Sequence, residues 1–170
     1  MVKLTPSGAH ITELTRAVYR LNGLFLKAGN RIAAPAGLGS AHWQILGIVE
    51  HGPVPVAHVA RIWGLTRQAV QQTANALMRD GLIEAVENPH HRRAKLLDIT
   101  PHGVTALKQI RAQQAAWANA VGDNHDAEDL KSVVAELGKL ATTLETHAGR
   151  GKAKAAKPSR KSQPLDRSAS

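Results

Sequence analysis

The stretch GLTRQAVQQTANALMRDGL, Gly64 to Leu82, sets Gln68, Gln71, Gln72 and Asn75 with Arg67 and Arg79 in one helical run. At 3.6 residues per turn, Val70, Ala74 and Leu77 fall at i, i+4 and i+7 and make an apolar stripe, with Ala69 and Thr73 beside it. Gln68, Gln71, Gln72, Asn75 and Arg79 then fall on the opposite side. Carboxamides carry a donor and an acceptor side by side, which matches base edges in a DNA major groove, while guanidinium matches guanine or phosphate. A solvated helix face is the competing reading. Such faces usually carry Glu and Lys in i,i+4 pairs, yet no acid stands between Thr66 and Arg79. Composition alone leaves both readings open.

Other chemistries find little support. The chain has no cysteine, which removes disulfides, thiolate metal sites and Cys nucleophiles together. Its nine histidines are dispersed, and no H-x-x-x-H or His-plus-acid set closes a tetrahedral metal site. No glycine loop for phosphates, nucleophile elbow or paired-carboxylate arrangement stands out. Asp123, Asp126, Glu128 and Asp129 cluster at a helix start, where acids favour the helix dipole. We therefore expect no catalytic residues, no metal and no cofactor. The five aromatics, Tyr19, Phe25, Trp43, Trp63 and Trp117, are too few for a single-strand binder built on stacked bases. Without an apolar run able to span a bilayer or serve as a signal peptide, the expected location is cytoplasmic, away from the membrane.

The elements that must position the polar helix can be read from local signals. Thr66 is a good N-cap, and Gly81 sits where a left-handed residue would end the helix. Upstream, Ser40 to about His51 forms a helix burying Trp43, Leu46 and either Ile45 or Val49. "GPVP" reads as a turn. "VAHVARIWGL" then places Val56, Val59, Ala60 and Trp63 on one helical face. Two short helices joined through Gly64-Leu65, the second bearing the polar face, form a helix-turn-helix.

Two short β-capable runs follow, "LIEAVEN" and "AKLLDIT", joined by "PHHRR". A hairpin directly after a helix-turn-helix makes a winged helix. Its tip carries His90, His91, Arg92 and Arg93, with Lys95 just behind. Arginine there suits an adjacent minor groove, where a narrow A·T-rich stretch concentrates negative potential.

The flanks are helical. Thr5-Pro6 supplies an N-cap and first-turn proline for a helix whose Ile11, Leu14, Val18, Leu21 and Phe25 recur at 3,4,3,4 spacing, a seam suited to another helix. Thr100-Pro101 starts another helix, with Leu107, Ile110, Trp117 and Val121 on one face and Gln114 interrupting it. Asp126 opens a last helix with a broad stripe from Leu130 through Leu144. Seams of this kind exceed what one subunit can cover, and a homodimer is the simple remedy. From Arg150 onward, seven Lys/Arg face the single acid Asp166, so this segment carries +6 of the net +9. Rich in Lys, Ala, Ser and Pro, it is expected to be disordered and able to attract phosphate backbones, or merely to aid solubility.

In their order and spacing, "HWQIL", "VARIWGLTRQAVQQTANALMRDGLI" and "NPHHRRAKLLDITPHG" resemble the MarR family of bacterial winged-helix transcription regulators. The resemblance spans about residues 38 to 107. It implies a mainly α fold, with a winged helix-turn-helix domain at 36–104, N- and C-terminal dimerisation helices at 1–35 and 105–149, and a basic tail at 150–170. It further implies a homodimer that binds a pseudo-palindromic operator on double-stranded DNA, as a repressor released by a small-molecule effector. By resemblance, Thr66, Arg67, Gln68, Gln71 and Gln72 occupy DNA-touching positions, and Arg92 or Arg93 the wing arginine. Asn75, Arg79, His91 and Lys95 complete the expected DNA-binding set. Arg16, Tyr19, His42 and Trp43 are the expected ligand-pocket residues. The chain departs from the family pattern at Asn88 and His91, where acids commonly hold the wing arginines, and at Gly39 and His42, which leave the second helix less firmly started. A nucleoid-type or protein-docking winged helix with mostly nonspecific DNA binding is the rival reading.

Overall fold

The structure, a computed structural model, describes residues 3–89 and 94–155, with side chains described as far as residue 147. Helix α1 spans Pro6–Ala33 and a single 3₁₀ turn follows at Ala34–Ala36. Then come α2 at Ser40–Val49, β1 at Val54–Pro55, α3 at Val56–Ile62, α4 at Arg67–Arg79, β2 at Ile83–Val86, β3 at Leu96–Ile99, α5 at Pro101–Gly122 and α6 at Ala127–Ala155. This is the mainly helical winged-helix arrangement that the sequence predicts.

The caps form where the residue types place them. The Thr5 hydroxyl accepts from the Gly8 amide at 3.1 Å, and Thr66 accepts from the Ala69 amide at the start of α4, each satisfying one orphan N–H. Both helices of the helix-turn-helix end in the same way. Gly64 and Gly81 have φ of 62° and 70°, a region open to glycine but costly for other residues. Leu65 N–H bonds Ala60 O, and Leu82 N–H bonds Leu77 O, the six-to-one closure of a Schellman stop.

Helix α4 packs on α2 and α3, and α1 packs on α2. The buried stripe of α4 is Val70, Ala74 and Leu77, which join Ile45, Leu46, Val49, Val59, Ile83 and Leu97 in one core. From α5, Leu107 and Ile110 reach the same core. Ala69 is exposed and Thr73 half-buried, so the apolar stripe is narrower than periodicity implies.

Two expectations are corrected. "GPVP" contains a strand: Val54 and Pro55 pair antiparallel with Leu97 and Leu96, completing a three-stranded sheet of order β1-β3-β2. Two residues are too few to show period-two alternation, and proline is tolerated because this strand lies at the sheet edge. Trp63 is not a core residue. At the C-terminal cap of α3 it is 45% exposed, and its indole Nε1–H donates to the Gln44 carbonyl at 3.1 Å.

Helix α6 lies in a second compact unit, which begins at Val121. The Asp126 carboxylate accepts from the amides of Glu128 and Asp129, starting the helix as expected. Leu130, Val133, Val134, Leu137 and Leu144 are exposed along it. The helix continues to Ala155, past the Arg150 boundary drawn from composition.

Candidate nucleic-acid interface

Burying Val70, Ala74 and Leu77 turns the other side of α4 to solvent. Arg67, Gln68, Gln71, Gln72, Asn75 and Arg79 are all exposed, as is the capping Thr66. Within this face the Gln71 Nε2–H donates to Asn75 Oδ1 at 2.8 Å, an i,i+4 pair along the helix. The Arg79 Nε lies 3.6 Å from the Asp80 carboxylate, with both side chains well exposed, so this pair contributes little to stability.

Packing α4 beside the wing strands creates a groove of about 600 Å³. Arg67, Gln68 and Gln71 line one side and Lys95, just before β3, lines the other. Four residues singled out from the sequence thus converge, although β2 and the wing tip intervene between α4 and Lys95 in the chain. Gln72, Asn75 and Arg79 are exposed on α4 without lining that groove. His91, Arg92 and Arg93 lie outside the described residues.

Two further groups were missed in the sequence. Arg61 and His58 on α3 are within 2.9 Å of each other, Arg61 Nη2 against His58 Nδ1, so a neutral His58 accepts from the guanidinium. Together with Arg67 they line a second depression of about 460 Å³. Their i,i+3 spacing in "VAHVARIW" was the available signal, obscured by the apolar stripe read in the same segment. Among the described residues, neither depression is lined by an acidic side chain. A polyanion laid along this surface meets arginine, lysine and amide groups and no carboxylate on either lining to repel it.

On the other side of the helix-turn-helix, α1, α2 and α5 enclose a cavity of about 690 Å³. Trp43 lines it, whereas Arg16, Tyr19 and His42, named with it from the sequence, do not. Arg16 and Tyr19 are exposed on α1, Tyr19 to 74%. His42 is engaged at the start of α2, where its Nδ1 accepts from the Gly39 amide at 3.2 Å. This offsets the missing side-chain cap at Gly39.

Among the described residues no helix is long and apolar enough to cross a membrane. A family model described as "MarR family" matches residues 36–94. The uncharacterised protein Rv2011c of Mycobacterium tuberculosis is 34% identical over 135 residues, covering 79% of this chain and 94% of that protein. The transcriptional activatory protein BadR of Rhodopseudomonas palustris is 27% identical over 115 residues, 62% of this chain and 64% of its own length. The crystal structure of a mutant MarR from E. coli, complexed with operator DNA, superposes with a TM-score of 0.68 at 18% identity, covering 77% of this chain and 95% of that one; this last likeness is one of fold. With the helix-turn-helix and the first wing strand, β2, inside the matched segment and 94% of a relative at 34% identity covered, the chain belongs to the MarR family of winged-helix transcription regulators.

Proposed function

We propose that the chain is a sequence-specific repressor that binds a two-fold symmetric operator as a homodimer and is released by a small-molecule effector. The observation that carries this reading is the acid-free face of α4, with Gln68 and Gln71 beside Arg67 and Lys95 around one open groove. In the proposed complex α4 enters the major groove. Gln68, Gln71 and Gln72 read base edges, with Asn75 orienting Gln71. Thr66, Arg67, Arg79, Lys95 and the wing residues His91, Arg92 and Arg93 hold phosphates and register.

Two-fold symmetry follows from the dimer. On α1, Ile11, Leu21, Leu24 and Phe25 are exposed, and on α6 Leu130, Val133, Val134, Leu137 and Leu144 are exposed as well. Apolar surface of this extent is typical of association sites. Two recognition helices then meet half-sites about 34 Å apart, one turn of duplex. Repression is the direction inferred for a dimer seated over a promoter.

Selection of bound sites from a random duplex pool tests the reading. An enriched inverted repeat, with half-sites one helical turn apart, is the expected result. Retention of duplex without enrichment would replace specific regulation by general coating, the reading that the net charge of +9 favours. A promoter reporter carrying the selected site gives the direction of regulation.

A further inference from the structure

We propose that His58 and Arg61 on α3, with Arg67 at the start of α4, form a seat for one backbone phosphate of duplex DNA, and that the charge on His58 sets how firmly the seat holds. The three side chains line one depression of about 460 Å³. Arg67, Pro55 and Ala57 also line the groove that holds Gln68, Gln71 and Lys95, so the depression adjoins the face of α4 that meets bases in the proposed complex. His58 is half-buried, whereas Arg61 and Arg67 are exposed. Among the described residues neither arginine has a carboxylate partner, and no acid lines the depression. A phosphate arriving there meets no acidic competitor.

The contact inside the seat makes it responsive. Arg61 Nη2 lies 2.9 Å from His58 Nδ1. A guanidinium can only donate, so Nδ1 accepts and the imidazole in this contact is neutral, with its proton on Nε2. Neutral His58 thus occupies one end of Arg61. Protonation makes both ring nitrogens donors and ends that acceptance, which releases Arg61 and places a second positive charge beside it. Two cations this close repel in the free chain, and a phosphate between them replaces the repulsion with charge-assisted hydrogen bonds. From α4, Arg67 faces the same depression and Arg79 does not; β1, also packed on α3, brings only Val54 and Pro55. The complex with DNA then binds more protons than the free chain, so affinity rises as pH falls through the range in which histidine takes up its charge.

The seat rests on the reading that α4 meets duplex DNA, but not on sequence preference, so it is tested on random duplex as well as on the selected operator. Fluorescence anisotropy of the full chain at about pH 8 and about pH 5.5, either side of the histidine range, is the measurement. Other histidines titrate too, so the comparison is with His58→Gln, whose amide still accepts from Arg61 and takes up no proton. On acidification this variant should gain about 5-fold less affinity than the wild type, the upper worth of one exposed charged contact. Its slope of log affinity against log salt should also steepen by about 0.9 less, the share of one phosphate. Arg61→Gln should weaken binding about 5-fold at the lower pH and less than about 2-fold at the higher, where His58 occupies the guanidinium. An acid gain and slope unchanged in His58→Gln, an Arg61→Gln loss equal at the two pH values, or effects confined to the operator would overturn the seat. Absence of an inverted repeat from the selected pool, with these shifts intact on random duplex, would overturn sequence-specific regulation and uphold the seat.

Discussion

The Gln71 carboxamide donates to Asn75 Oδ1 at 2.8 Å across one turn of α4, so one hydrogen-bonding end of Gln71 is anchored and the other left outward. Asn75→Ala releases that anchor and should blur discrimination at one base pair by about 1 kcal/mol, while Gln72→Ala should cost about 1–3 kcal/mol at a neighbouring position. Fluorescence anisotropy on the selected operator and its single-base variants measures both. An equal weakening on operator and random duplex would assign these amides to backbone contact instead.

Two glycines should respond with opposite signs. A Cβ on Gly103 would lie 2.1 Å from the Leu82 carbonyl oxygen and 2.8 Å from Ile99 Cγ1, and that same oxygen accepts from the Thr100 amide. The backbone is held from two directions, so Gly103→Ala should destabilise by about 3 kcal/mol, at the upper end for overpacking. Gly47, inside α2, has nothing within 4 Å of an added Cβ. Gly47→Ala should stabilise by about 0.5–1 kcal/mol through backbone entropy. Thermal denaturation of the two variants gives the signs directly.

Association can be broken on either exposed stripe. Leu24 is 51% and Leu137 41% exposed in the single subunit. If they lie in the dimer interface, a buried carboxylate there is strongly unfavourable. Sedimentation should find a wild-type dimer, and the Leu24→Glu, Leu137→Glu double variant should sediment as a monomer without cooperative operator binding. A dimer surviving the double change would move the interface elsewhere.

The basic segment has its own signature. Removing residues 156–170 deletes Lys157, Arg160, Lys161 and Arg167. The slope of log affinity against log salt should flatten by about 0.9 for each phosphate that this segment neutralises, with base preference unchanged. An unaltered slope would limit the segment to solubility.

Much of the fold is legible in the chain itself. The caps Thr5, Thr66, Thr100 and Asp126, and the stop at Gly81, depend on residues within one or two turns of each other, and each forms as local chemistry directs. The stripe of Val70, Ala74 and Leu77 is likewise periodic, so the outward face of α4 follows from it. The edge strand at Val54–Pro55 is not legible, because its evidence is its pairing with Leu96 and Leu97. Trp63 misleads for a related reason: it continues the α3 periodicity by count, but the helix ends before it and its ring turns across α2.

Sequence by itself therefore determined the phase of α4, the starts of α1, α4, α5 and α6, the stop of α4 at Gly81, and which side of α4 stays polar, since each rests on contacts between near neighbours in the chain. The tertiary structure decided what meets across long separations: Lys95 beside Gln68 and Gln71, Arg111 on Glu50 over 61 residues, and four scattered aromatics around one cavity. Such contacts have no period and no fixed spacing. They arise only when the buried stripes of separate helices pack into one core, which rotates every remaining side chain into its place.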